Sequence, residues 1–186
     1  MSLVLNSTGG GSVTIQEPST ASNLTATLPA ATGTVMVSGN MPAFRAVLSG
    51  NQTIPFNSFT KLTLNTEIFD TNNCYDPTTN YRFTPTVAGY YQVSLQLMLE
   101  GTPTRNYVAY GVVYKNGSAN PNSYSGFSVA VGSGGDNSAN SSMLISMNGT
   151  TDYLEAYTYQ YDYTASSTMV AKASGTNFNA CLVRAV

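Results

Sequence analysis

Residues 69–99 read FDTNNCYDPTTNYRFTPTVAGYYQVSLQLML, and the fold turns on how this stretch ends. After a polar, turn-rich segment the chain passes Pro85 and Gly89, and from there Tyr91, Val93, Leu95, Leu97 and Leu99 alternate with Gln92, Ser94 and Gln96. Side chains two apart on an extended chain share a face, so the pattern predicts a long strand with one face buried and the other wet. No periodic helix pattern appears anywhere in the sequence.

The rest of the chain has the same character. Of its 186 residues 9% are charged and 42% hydrophobic, the balance being filled by Ser, Thr, Asn and Gly. This suits one well-buried all-β domain with an appendage, and argues against a charge-rich disordered chain. The net charge is −2, and the Lys and Arg residues are scattered from Arg45 to Arg184, so there is no concentrated positive face for nucleic acid. Histidine is absent, which removes the commonest general base and metal ligand. Cys74 and Cys181 lie far apart, and sequence alone leaves their pairing open. The start, MSLVLNSTGGG, lacks the basic region of a signal peptide and the length of a membrane span, so no membrane insertion is expected.

Residues 1–40 stand apart, with Glu17 their single charge and with breakers at Gly9 to Gly11, Pro18, Pro29, Gly33 and Gly39. Three short β-like pieces lie between these breakers: Ser12 to Gln16, Asn23 to Leu28 and Thr34 to Val37. None is long enough to bury a core, so this segment must pack on a partner or on its own copies. From Met41 onward a head domain is expected. Tyr107 to Tyr114 is apolar on both faces, as of a strand covered on both sides, and Asn116-Gly117 after it marks a hairpin turn. Gly132 to Asn137 reads as a permissive loop, followed by strands over Met143 to Met147 and Tyr153 to Tyr159.

The order Tyr75-Asp76, then Phe83, then Gly89-Tyr90-Tyr91, with five residues between Phe83 and Gly89, resembles the signature of the complement C1q-type globular head. Pro42 to Ala46 resembles the short first strand of that family and Thr176 to Val183 its closing strand. Val93 and Leu95 replace family aromatics, Ala180 replaces a glycine, and the turn between Tyr75 and Phe83 is one residue longer than usual. The resemblance spans about residues 41–186 and implies an all-β jelly-roll sandwich of the C1q and tumour-necrosis-factor (TNF) type. In it Tyr75, Phe83, Gly89, Tyr91 and Phe178 form the core motif. The wording of residues 9–35, GGGSVTIQEPSTASNLTATLPAATGTV, resembles an adaptor segment of tailed-bacteriophage structural proteins.

Tyr153, Tyr157, Tyr159, Tyr161 and Tyr163 fall on odd positions, so one strand would turn them outward while Leu154 and Ala156 point inward. C1q and TNF heads form three-fold trimers. By that resemblance Tyr153, Tyr157 and Tyr159, with Tyr110 and Tyr114, are candidates for the trimer interface. Tyr161 and Tyr163, with Asn120 and Asn137 in apical loops at 118–125, 133–140 and 160–168, are candidates for binding a host glycan, whose sugar rings stack on aromatic faces. Asp136, Asp152 and Asp162 do not have the spacing of a calcium loop, and neither a metal nor a cofactor is expected. The sequence holds no Gly-x-Ser-x-Gly nucleophile elbow and no phosphate-cradling Gly-Lys motif, so an enzyme is not expected.

These readings converge on a non-enzymatic bacteriophage virion protein, a homotrimeric capsid decoration or cement protein. Its N-terminal arm is expected to hold the major capsid protein or another virion protein through Val13, Ile15, Leu24, Leu28, Val35 and Val37. The head then faces outward, where it can touch the host. With Met1 as the native start, an arm of this length is expected to leave no room for the long shaft of a tail fibre. The alternatives are a receptor-binding tail-fibre or tailspike tip and a secreted C1q-like lectin.

Overall fold

The structure is a computed structural model that describes the chain apart from residues 1, 17–18, 24, 26, 28–29, 31–34, 102–105, 130–134 and 164–167. Contacts divide it into two units, Met1–Thr34 and Val35–Val186. Composition alone drew this line after residue 40.

The first unit holds strands β1 (Ser2–Asn6) and β2 (Ser12–Gln16), an antiparallel hairpin in which Leu3 pairs with Ile15 and Leu5 with Val13. The turn closes with Ser7 N–H donating to Gly11 O at 2.7 Å, and Gly10 supplies a positive φ of 87°. β2 is the first of the three expected pieces. Of the second, Asn23, Thr25 and Thr27 lie outside any strand, while Leu24, Ala26 and Leu28 fall outside the described residues. Val35 to Val37 runs into a 3-10 turn at Ser38–Asn40 instead of forming a strand.

Among its described residues the second unit carries fourteen strands. In chain order they are β3 (Ala43–Val47), β4 (Gln52–Ile54), β5 (Thr60–Lys61), β6 (Thr66–Asp70), β7 (Tyr75–Asp76), β8 (Arg82–Phe83) and β9 (Gly89–Gly101). Then follow β10 (Tyr107–Lys115), β11 (Ser118–Ala119), β12 (Ser125–Val129), β13 (Gly135–Met147), β14 (Leu154–Asp162), β15 (Met169–Ala171) and β16 (Asn177–Ala185). Sheet I has the order β4-β15-β9-β16-β3-β6, with β13 also paired to β9 off this path. Sheet II has the order β11-β10-β14-β8-β7, with β12 on β10 and β5 on β14. Together they make an all-β jelly-roll sandwich, as the sequence predicts.

β9 is the alternating strand, and Tyr91, Val93, Leu95, Leu97 and Leu99 are each 1% exposed or less. At one end of the core Phe44 stacks on Tyr75 at 4.7 Å and on Phe83 at 4.5 Å, and meets Phe178 edge-on at 5.2 Å. Phe83 meets Tyr91 at 5.6 Å, so four aromatics of the sequence motif are buried together with Phe44 as their hub. Their hydroxyls do not go unpaired: Tyr75 donates to Leu64 O at 3.0 Å and Tyr91 to Val87 O at 2.7 Å. Gly89 begins β9 beside β16, and a Cβ there would lie 2.3 Å from Arg184 O, so only glycine lets the two strands approach.

Asn116 and Gly117 both take positive φ, 54° and 78°, which closes the β10–β11 hairpin as the Asn-Gly pair predicts. The largest departure is β13. The segment expected to be a loop up to Asn137 and a strand only from Met143 is one strand from Gly135, paired with β9 along its whole length. Backbone bonds to a long neighbour hold Asp136 to Ser142 extended without any apolar alternation. Similarly, β14 runs on to Asp162, so Gln160 and Asp162, expected in an apical loop, are buried in the sandwich at 0% and 2% exposure. Cys74 is buried and Cys181 exposed, and both are free thiols.

Candidate functional site

The outer face of sheet II is built from two neighbouring strands. In the β10–β14 register Val108 stands opposite Tyr161, Tyr110 opposite Tyr159, Val112 opposite Tyr157 and Tyr114 opposite Glu155. The intervening residues of β14, from Leu154 and Ala156 to Thr158, point into the sandwich and are fully buried. The tyrosine row therefore lies on the far side, as strand alternation requires.

The rings form a connected layer. Tyr114 stacks on Tyr157 at 3.9 Å with 18° between planes, and Tyr110 lies over Tyr159 at 6.0 Å. Phe59, from the segment leading into β5, reaches across both strands, 4.9 Å from Tyr159 and 6.2 Å from Tyr114. Tyr124 meets Phe59 at 6.3 Å and Tyr110 at 6.4 Å. At the far end Phe56 packs on Tyr161 at 5.1 Å, and Tyr163 meets Tyr161 edge-on at 5.2 Å. Beneath this layer Val112 is fully buried although it belongs to the outer face. On the outside the layer stays open, with Phe59 42%, Tyr124 51% and Tyr163 63% exposed.

Backbone and polar groups fix the rings. A Cβ at Gly126 would lie 2.3 Å from Tyr110 Cδ1, so this glycine of β12 makes room for the Tyr110 ring. The Tyr159 hydroxyl donates to Asn57 Oδ1 at 2.7 Å, and Asn57 holds the loop before β5 with a φ of 52°. Ser123 is wholly buried, its hydroxyl donating to Val113 O at 3.0 Å, and Ser141 Oγ donates to Ser123 O at 2.8 Å. This pair clamps the loop that presents Tyr124. Burial pushes the Tyr114 and Tyr157 phenols above their ordinary value, with smaller contributions from Tyr124 and the partner ring at Tyr114 and from Glu155 at Tyr157, so both stay neutral at physiological pH.

Charge is confined to one end of the face. Lys61 pairs with the buried Glu155, donates to Asn80 O at 3.3 Å and lies 5.8 Å from the Tyr157 ring centre. The result is an apolar, hydroxyl-rimmed surface suited to covering by another apolar face. Among the described residues no group of three or more His, Cys, Asp or Glu side chains could hold a metal ion. A polar hollow elsewhere, lined by Asn73 to Pro77, Asn80, Arg82 and Thr84, has its one carboxylate committed. Asp76 accepts from the amides of Thr78, Thr79 and Asn80 and from the Thr78 and Asn80 side chains, bonds that hold its carboxyl well below the usual carboxylate range.

Of the residues singled out from sequence, Tyr110, Tyr114, Tyr157 and Tyr159 come together here. Tyr153 stands apart, before β14 begins, with the Arg82 guanidinium 4.5 Å over its ring. Tyr161 and Tyr163 extend the layer at its far end. Asn137 lies in β13, not in a loop, and donates to the Tyr107 hydroxyl of β10 at 2.9 Å, while the Asn120 backbone N–H donates to Val113 O and holds the loop after β11. Val13, Ile15, Val35 and Val37 are exposed by 55% to 70%, and Leu24 and Leu28 lie outside the described residues. Phe56 and Phe59 were not singled out from sequence, and Tyr124 only as part of the candidate loop 118–125, because none of the three continues the odd-position tyrosine pattern.

No protein-family model matches the chain, and no curated protein matches it. Solved structures do. The chain superposes on murine APRIL at pH 5.0 with a TM-score of 0.53 at 10% identity, covering 77% of this chain and 99% of that one. On Eiger TNF from S. frugiperda the TM-score is 0.52 at 9% identity, over 78% of this chain and 93% of that one. The globular domain of zebrafish complement 1qA protein gives 0.49 at 12% identity, over 78% and 98%. Identities this low establish the fold alone, and the first two superpositions make it a jelly roll like those of APRIL and Eiger TNF.

Proposed function

We propose that the protein is a non-enzymatic structural component of a bacteriophage virion. It acts as a homotrimer in which the aromatic face of sheet II forms the subunit contact. The observation that carries the self-association is the open ring layer over Val112. Contiguous apolar surface rimmed by polar groups is uncommon on a monomer and marks an interaction site. Tyrosine suits such a contact, because it brings large rigid area and its hydroxyl tolerates water before assembly. The trimeric heads that the sequence resembles supply the stoichiometry.

The arm supports a place on the capsid. Residues 1–34 form a unit of their own ahead of the head, and their wording resembles an adaptor of phage structural proteins. In the proposed role three arms seat one trimer on the capsid as a decoration protein. Three weak contacts acting together need only modest strength each. Sedimentation equilibrium of the purified chain at micromolar concentration is expected to give a trimer, and a clean monomer overturns the contact. Labelling the protein on intact particles for electron microscopy is expected to show many copies over the shell. A few copies at the tail would instead favour the receptor-binding tip, a reading supported by Tyr163 standing exposed beside Tyr161 at the edge of the layer, where a glycan ring could stack.

A further inference from the structure

The N-terminal hairpin is amphipathic in a way that composition does not reveal. Its register places Leu3 beside Ile15 and Leu5 beside Val13. Side chains opposite one another in an antiparallel pair share a face, and so do residues two apart. All four apolar side chains therefore stand on one side of the ribbon. They are 58%, 55%, 53% and 63% exposed in the order Leu3, Ile15, Leu5, Val13. The reverse side carries Val4 opposite Thr14 and Asn6 opposite Ser12, with Gln16 at the end, and is polar but for Val4.

We infer that this apolar face is covered by the same face of the other copies of the chain, so that three hairpins close into a small prism with their polar sides outward. The inference rests on the homotrimer proposed above and names the occupant of a second contact within it. An isolated two-stranded hairpin is marginal in water, so a partner must supply the buried area that its own two strands cannot. Residues 2–16 contain no Asp, Glu, Lys or Arg, so bringing identical copies together incurs no like-charge repulsion. A partner of different kind selected by charge would find nothing on this ribbon to read. Tethering to one trimeric head also holds the copies near one another at an effective concentration of the order of millimolar, which makes weak faces sufficient. A triangular arrangement then has two layers, one of Leu3 and Ile15 and one of Leu5 and Val13, each repeated around the axis. The capsid is left to the polar sides of the prism and to the residues that follow it.

Cysteine cross-linking of the full-length chain tests this. In a Cys181→Ser background, which removes the exposed native thiol, Leu5→Cys places a thiol on the apolar face and Thr14→Cys places one on the polar face. Mild oxidation at micromolar protein is expected to convert most Leu5→Cys chains that have a neighbour into disulfide-linked pairs, and at least tenfold less of Thr14→Cys. Sedimentation of both variants under reducing conditions is read alongside. A trimer in which Leu5→Cys does not cross-link, or cross-links no better than Thr14→Cys, overturns the prism and leaves the trimeric head standing. A monomer overturns the head contact itself. Preferential Leu5→Cys pairing within trimers, independent of dilution from ten to one micromolar, supports the prism.

Discussion

Two aromatic clusters, each a phenylalanine hub with three ring partners, have opposite fates. One is inside the sandwich, where Phe44 gathers Tyr75, Phe83 and Phe178. The other lies on the outer face of sheet II, where Phe59 gathers Tyr114, Tyr124 and Tyr159. The inner hub has three ring partners at 4.5 to 5.2 Å, and the hydroxyl of Tyr75 is fixed on a backbone carbonyl. The outer hub has ring distances of 4.9 to 6.3 Å and one side open to solvent. The inner cluster carries one phenol and the outer one three, and the two differ above all in closure: the first is finished by its own chain and the second lacks a lid. The first should therefore govern folding and the second association.

The largest effect should come from breaking the inner hub. Phe44→Ala leaves a cavity among Tyr75, Phe83 and Phe178 that rigid strands cannot fill, and is expected to destabilise the head by about 3–5 kcal/mol in urea unfolding. Tyr159→Ala, on the outer layer, removes contacts to Phe59 and Tyr110 and the hydroxyl bond to Asn57. It is expected to weaken each subunit contact by about 2 kcal/mol, seen as a shift towards monomer in sedimentation, while circular dichroism keeps its strand signature. If Tyr159→Ala instead unfolded the chain as thoroughly as Phe44→Ala, the two clusters would be one core and the contrast between them would be lost.

Much of the inner cluster is legible in the sequence, because burial on one face of β9 forces an alternation that any reader can count. The motif residues Tyr75, Phe83 and Tyr91 could be read from the resemblance that their order before and after Gly89 bears to the C1q-type head, and the Asn116-Gly117 turn from its backbone demands. The outer layer is only half legible. Tyr157 and Tyr159 keep strand period, but Phe59 and Tyr124 are carried by loops whose path depends on contacts distant in sequence. β13 was hidden for the opposite reason: Gly135 to Ser142 is held by backbone pairing to β9, and backbone bonds leave no trace in side-chain type. The face of the hairpin was hidden because β1 looks like an arbitrary apolar run until Leu3 is set against Ile15.

A smaller effect sharpens the same contrast at the rim. Gly126 sits beneath the Tyr110 ring, where an added Cβ would lie 2.3 Å from Tyr110 Cδ1 and 2.6 Å from Ala109 O. The ring can swing outward more easily than the backbone can move. Gly126→Ala is therefore expected to cost about 1–2 kcal/mol of head stability, since swinging the ring relieves the contact with Tyr110 but not the one with the Ala109 carbonyl in the paired β10 backbone. Its larger consequence should fall on association, since a displaced Tyr110 no longer lies flat against Tyr159. A variant that lost stability without losing the trimer would place Tyr110 with the folding residues.

The smallest expected effect is one of pH, and it lies at a turn outside both clusters. Asp152 accepts from Asn116 Nδ2 at 2.8 Å and from Asn148 N at 3.0 Å, and pairs with Lys115 at 2.9 Å. The Asn116 bond chiefly, with Lys115 and the Asn148 amide, holds its carboxyl below the ordinary aspartate value of 3.8. A group whose folded pKa is depressed binds its proton more readily when unfolded, so it adds stability above the unfolded value and loses it as pH falls through the folded one. The stability gap between wild type and Asp152→Asn is therefore expected to be flat from pH 7 to about pH 5 and to shrink below pH 4. Thermal unfolding across that range measures it. The proposed subunit contact should be indifferent to the same titration, because among the described residues the ring layer around Tyr157 carries no carboxylate except the Glu155 that pairs with Lys61. A trimer that dissociated in step with the loss of the Asp152 contribution would tie this turn to the outer face, and the division between folding and associating residues would have to be redrawn through Lys115 and the end of β10.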